Sequence, residues 1–149
     1  MKPGDASDTI HASAVAIGDR GVLIRGSSGS GKSSLALGLI DDARLEARLI
    51  ADDRLVLSGG PAGLVARTPK RLEGLIEVGG IGIVKMAHVD EAMIVLVVDL
   101  LRPEDCSRYP GADERSATLM GHMVPRLTLP IGVVDGVTRV RVALREWCL

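Results

Sequence analysis

The chain has 149 residues, a formal net charge of −1 and an almost wholly aliphatic apolar set, with no Phe, one Trp (Trp147) and one Tyr (Tyr109). That length suits one domain with a real core. Near-neutral charge gives no basic field for duplex nucleic acid, two aromatic rings give no base-stacking surface, and the longest apolar run, Ala92 to Val98, is too short to cross a bilayer.

Residues 1–8 read as a polar tail without an apolar leader, which sets the domain at 9–149. Ile10 to Ile17 reads as a strand and Gly18-Asp-Arg-Gly21 as the turn of a hairpin. Gly21 to Arg25 is a short apolar strand, and Ser33 to about Asp42 is a helix. Arg48 to Ala51 is a strand ending in Asp52 and Asp53. Leu55–Leu57 and Leu64–Ala66 flank a Gly/Pro turn and form a second hairpin. Gly74 to Val84 is glycine-rich with strand-like flanks, and Ala92 to Leu100 is the best candidate for a buried strand. Arg102 to Gly121 reads as a polar, mobile loop. Val137 to Leu149 fits helix or strand equally. Cys106 and Cys148 follow no pattern and read as free thiols of a reducing cytoplasm. His88 and His122 read as surface residues.

Between the second strand and the first helix, Gly26-Ser-Ser-Gly-Ser-Gly-Lys-Ser33 completes the pattern G-x-x-x-x-G-K-[ST]. Each position has a physical role. Gly26, Gly29 and Gly31, with Ser27, Ser28 and Ser30 between them, let backbone N–H groups turn inward around a polyphosphate. Lys32 supplies a point charge for the β- and γ-phosphates, and Ser33 a hydroxyl for Mg²⁺. A strand before and a helix after place the anion on a helix N-terminus.

Asp52 and Asp53 end the next strand, where such folds put the Mg²⁺ partner. Adjacent residues of an extended segment point to opposite sides, so one carboxylate can face a metal and the other an acceptor hydroxyl. The spacing does not choose between them. Further on, Gly79, Gly80 and Gly82 allow backbone to approach a ligand beside Glu77. Arg67, Lys70 and Arg71 form a small basic cluster, read as a solvated face or as a contact for an acidic protein surface.

His11, Lys32, Ile50-Ala-Asp-Asp53 and Leu75-Ile-Glu-Val-Gly-Gly-Ile-Gly-Ile83 together resemble the catalytic domain of HPr kinase/phosphorylase, over about residues 10 to 130. The family's additional N-terminal domain has no counterpart, so the chain resembles the short, alphaproteobacterial form. The resemblance implies a single-domain α/β P-loop core with a mixed sheet and hairpins. It implies ATP and Mg²⁺ as cofactors, an HPr-type phosphocarrier protein as substrate, a cytoplasmic setting and a homo-oligomer, hexameric in the family. Asp53 matches the carboxylate that takes the seryl proton, Asp52 its acidic neighbour, and Glu77 a Mg²⁺ ligand. His11 matches a histidine beside the catalytic carboxylate, and Arg108 an active-site arginine.

Two positions depart from the family pattern. Gly79 stands where the signature has Arg, and the family's basic loop near the C-terminus is missing, with Val124 to Pro130 as its nearest relative in position. The expectation is therefore a kinase whose reverse, phosphorylase reaction is weak or absent. A small-molecule kinase and a non-catalytic nucleotide-sensing module are the alternative readings of the same loop.

Overall fold

The computed structural model describes residues 6–148. Its elements in chain order are β1 (Ala6–Ile10), β2 (Ser13–Ile17), β3 (Arg20–Gly26), α1 (Lys32–Asp41), β4 (Arg48–Ala51), β5 (Leu55–Gly60) and β6 (Gly63–Arg67). There follow β7 (Leu75–Val78), β8 (Gly82–Lys85), β9 (Glu91–Leu101), β10 (Ser116–Leu119), β11 (His122–Pro130) and α2 (Gly136–Trp147). The main sheet runs β1-β5-β6-β9-β3-β2-β4, and β7 pairs with β8 in a separate hairpin.

β3 and β9 are the centre of this sheet. They pair in parallel, with Arg25 opposite Asp99 and Gly26 opposite Leu100. β9 is long enough to serve two strands on its other edge. Its first residues pair with β6 antiparallel, and its last with β11 in parallel. Both central strands are apolar on both faces, as strands covered on two sides must be. Val22 and Ile24 turn into one core with Leu96 and Val98 of β9, Leu35 and Leu39 of α1, and Val140 and Leu144 of α2. Leu23 turns the other way, into a second core with Val97, Leu55, Leu57 and Leu64. The two-residue period of a strand thus separates a helix-covered face from a face closed by strands.

Three expectations change and one open choice is resolved. The polar tail ends earlier than expected. Residues 1–5 lie outside the described residues, but Ala6 to Ile10 pair with β5. An edge strand held by backbone hydrogen bonds, with Ser7, Asp8 and Thr9 exposed, leaves no apolar alternation to read. The single strand over Ile10–Ile17 is broken at His11 and Ala12. The loop from Arg102 contains a 3₁₀ turn at Pro103–Asp105 and then β10, paired with β11. Finally, residues 136–147 are helical. β11 is a strand despite Pro125 and Pro130, because pairing with β9 begins only at Arg126, just after Pro125, and Pro130 is its last residue.

Among the described residues no helix is long and apolar enough to cross a membrane.

Candidate active site

The loop between β3 and α1 folds as a cradle. Gly29 and Gly31 take φ of 79° and 104°, and a Cβ at either would meet nothing within 4 Å. They are needed for backbone conformation, not for want of space. Ser30 N–H donates to Ser27 O at 3.0 Å and closes the turn. α1 then begins at Lys32 with no side-chain cap and no acidic residue in its first turn. The positive end of the helix and its free N–H groups are left facing the loop, an arrangement suited to an anion.

Lys32 is 6% exposed, and its Nζ donates to Gly26 O at 2.9 Å and Ser27 O at 3.1 Å. The ammonium group is therefore held inside the loop by the loop's own carbonyls. Ser30 Oγ is buried without a hydrogen-bond partner.

Asp52 is fixed from three directions. Its Oδ1 accepts from Ser33 Oγ at 2.6 Å and from Ser13 Oγ at 3.0 Å, and its Oδ2 accepts from the Glu77 N–H at 3.1 Å. β4, α1, β2 and β7 all meet on this one carboxylate. Asp53 is different. It is exposed, its side chain makes no hydrogen bond among the described residues, and its φ is 64°. Its N–H donates to Ser13 Oγ at 3.1 Å. The left-handed turn at Asp53 swings its carboxylate out of the strand path, free to meet a ligand.

A cavity of about 360 Å³ joins the loop and the start of α1 to Asp52, Asp53, Glu77 and Gly79. The sequence assignments for Lys32, Ser33, Asp52, Asp53 and Glu77 therefore converge on one place. Two others do not. His11 stands exposed at the break between β1 and β2 and does not line the cavity. Arg108 lies outside it as well. The 106–115 segment folds back onto β11 and α2, tied by Ser107 Oγ to Glu114 Oε2 at 2.5 Å and by Arg126 Nη1 to Glu114 O at 3.4 Å. Arg108 sits over the Tyr109 ring, 5.7 Å from its centroid, in a groove shared with α2.

Two features went unread in the sequence. Ser13 is fully buried and holds both acidic residues, yet a hydroxyl inside an apolar run looks like filler. The second is an ion-pair network under the loop. Asp99, 6% exposed, accepts from Arg25 Nε at 2.7 Å and Nη2 at 2.8 Å, and from Arg126 Nε at 2.6 Å. Burial raises the Asp99 pKa, but the two guanidinium groups outweigh it and hold the carboxyl below its ordinary value. Arg25 immediately precedes Gly26, so the network anchors the strand end from which the loop springs.

No group of three or more His, Cys, Asp and Glu forms a ready-made metal cage among the described residues. Mg²⁺ does not need one. It is bound through one or two carboxylates and substrate phosphates. The all-oxygen donors Ser33 Oγ, Asp52 and the Glu77 carboxylate, unpaired among the described residues, fit that chemistry, and the Ser30 hydroxyl, without a partner among them, fits a loop made to receive a ligand.

Residues 5–145 match the family model described as HPr Serine kinase C-terminal domain. The chain belongs to that family. It is 33% identical over 135 residues to the HPr kinase/phosphorylase of Lactobacillus delbrueckii subsp. bulgaricus, covering 84% of this chain and 42% of that protein. It is 34% identical over 131 residues to the Clostridium beijerinckii HPr kinase/phosphorylase, covering 82% and 42%. The structure of the Hpr(Ser) kinase/phosphatase from Coxiella burnetii superposes with a TM-score of 0.78 at 28% identity, covering 93% of this chain and 89% of that one. The chain spans about two-fifths of the length of the curated relatives it matches. The α/β architecture expected from the loop and its flanks is that of this HPr kinase domain.

Proposed function

We propose that the chain is an ATP- and Mg²⁺-dependent serine kinase acting on an HPr-type phosphocarrier in the cytoplasm, working as a homo-oligomer. The observation that carries this is the division of labour at the end of β4. Asp52 is fully engaged with Ser33, Ser13 and the Glu77 amide, while the Asp53 carboxylate beside it makes no hydrogen bond among the described residues and is exposed on the same cavity.

The loop N–H groups and Lys32 hold the β- and γ-phosphates, with Nζ exchanging the Gly26 and Ser27 carbonyls for phosphate oxygens. Ser33, Asp52 and Glu77 would hold Mg²⁺, which would supply compensation for charge on the transferred group. Asp53 accepts the proton of the seryl hydroxyl and aligns its oxygen for attack. Because Asp53 is solvent-exposed, a serine presented on the surface of another protein can reach it.

The test is incubation of purified HPr-type carrier with the protein, ATP and Mg²⁺, followed by intact mass. A phosphoryl gain on a carrier serine, lost in Asp53→Asn, is the expected result. Turnover of small acceptors alone replaces this reading with a small-molecule kinase, and nucleotide binding without transfer replaces it with a sensing module.

A further inference from the structure

The chain leaves β4 through a strained turn. The Arg54 N–H donates to Asp52 O at 2.8 Å, closing a turn of three residues, and its central residue, Asp53, has φ of 64°. A three-residue turn with positive φ at its centre is the rare and strained form. A residue other than glycine stays in such a turn only where its surroundings fix it.

One hydroxyl does the fixing. Ser13 Oγ accepts from the Asp53 N–H at 3.1 Å and donates to Asp52 Oδ1 at 3.0 Å. A hydroxyl has a single hydrogen to give, and here Asp52 takes it, which leaves the lone pairs to the Asp53 amide. Ser13 thus grips the backbone of the turn and the side chain just before it at the same time.

The strands put Ser13 in that position. β2 and β4 pair antiparallel with Val15 opposite Leu49 and Ala14 opposite Ala51, so Ile50 is an extra residue on β4. Carried one residue further, the shifted register sets Ser13 opposite Asp52. Without the bulge it would stand opposite Ala51. Alternation then supplies the direction. Ala14 and Ala16 face the core closed by strands, while Val15 and Ile17 face the core under α1. Ser13 shares the face of Val15 and Ile17, the side on which α1 begins and Ser33 meets Asp52. It is the one polar residue of β2 and is fully buried.

Resting on the reading of Asp53 as the group that takes the seryl proton, we infer that Ser13 is a positioning residue for phosphoryl transfer, its hydroxyl locking the turn that aims the Asp53 carboxylate into the cavity beside the phosphate loop. Ser13 does not itself line that cavity. Its effect falls on the chemical step. Without it Asp52 still accepts from Ser33 Oγ and from the Glu77 N–H, so the nucleotide end of the site keeps its supports.

The test is a double-mutant cycle on the full chain, read by kcat for carrier phosphorylation and by calorimetry of Mg-ATP binding, with thermal unfolding of each variant. Ser13→Ala should lower kcat roughly 10- to 100-fold, the scale of a small misplacement of a reacting group, with Mg-ATP affinity within about threefold of the native protein. In an Asp53→Asn background the same substitution should change the residual rate by less than about twofold, because it acts through Asp53. Ser13→Thr and Ser13→Val share one shape and differ in the hydroxyl. Thr should keep kcat within about fivefold of the native value and Val should not, a comparison that stands even where Ser13→Ala is too unstable to assay. Losses that add in the cycle, Mg-ATP affinity that falls in step with kcat, or equal rates for the Thr and Val variants overturn this inference and leave the assignment of Asp53 standing. Transfer absent from the native protein, or surviving in Asp53→Asn, overturns that assignment and the inference with it.

Discussion

At the scale of single residues, the catalytic assignment reduces to two neighbouring carboxylates with different surroundings. Asp53→Asn replaces the carboxylate by an amide of the same shape that tolerates left-handed backbone, so the turn should survive. ATP binding should persist while carrier phosphorylation falls by roughly two to four orders of magnitude. Asp52→Asn instead places an NH₂ against the Ser33 hydroxyl or the Glu77 N–H, and should weaken Mg-nucleotide binding itself. Calorimetry beside phosphorylation rates separates the two, and the opposite pattern reverses the roles. Asp53→Gly should raise stability by about 1 kcal/mol by relieving a positive φ, while abolishing transfer. Thermal unfolding of that variant checks whether the site carries strain. That Lys32, Ser33, Asp52, Asp53 and Glu77 share one cavity was legible, for the first two because loop chemistry restricts which residue types can stand there, and for the three carboxylates because of the strand end and the family resemblance. Ser13 was not, because its partners lie 39 and 40 residues away. Arg108 was misplaced because its sequence context says nothing of how the 106–115 segment folds back.

Among the elements, the pairing of β3 with β9 carries the loop, and two substitutions probe it. A Cβ on Gly21 would stand 2.8 Å from Met93 O, a backbone atom that cannot rotate away. Gly21→Ala should cost about 1–3 kcal/mol, read as a lower urea midpoint. Asp99→Asn keeps the shape but removes the charge facing Arg25 and Arg126. Because both arginines are partly exposed, the loss should be about 2 kcal/mol, less than for a fully buried pair. The pH dependence has a definite sign. The folded pKa of Asp99 is depressed, so its contribution is complete above the unfolded value near 3.9 and disappears as pH falls through the lower folded value. Acid unfolding curves of the native protein and Asp99→Asn should therefore converge toward the acid limb; parallel curves would show that the network contributes nothing. β3, β4, β9 and α1 were visible in the sequence because burial imposes apolar runs of fixed period. β1 and β11 were not. One is an exposed edge, and the other carries prolines that are harmless only because of where its neighbours end.

For the whole molecule, the two departures from the family pattern bear on the direction of the reaction. Gly79 lines the cavity and brings no guanidinium, and in Val124 to Pro130, the nearest relative of the family's basic loop, the single arginine, Arg126, is engaged with Asp99. Bringing inorganic phosphate against phosphoserine needs more fixed positive charge than accepting a nucleotide already paired with Mg²⁺. Serine-phosphorylated carrier incubated with millimolar phosphate and Mg²⁺ should release pyrophosphate far more slowly than the forward turnover, and comparable rates would refute this. The family and the α/β class were readable from a few motifs. The topology was not, because it depends on which distant strands meet. That dependence has a consequence during synthesis. The loop leaves the ribosome early, yet Gly26 sits opposite Leu100, and β9 in turn is bordered by β11. Such long-range pairing forms late. If the loop holds ATP as proposed, its supporting strand is complete only once β3 has paired with β9, so binding follows folding of the sheet. In refolding, a fluorescent ATP analogue should light up after the sheet has closed, as a timer of completion.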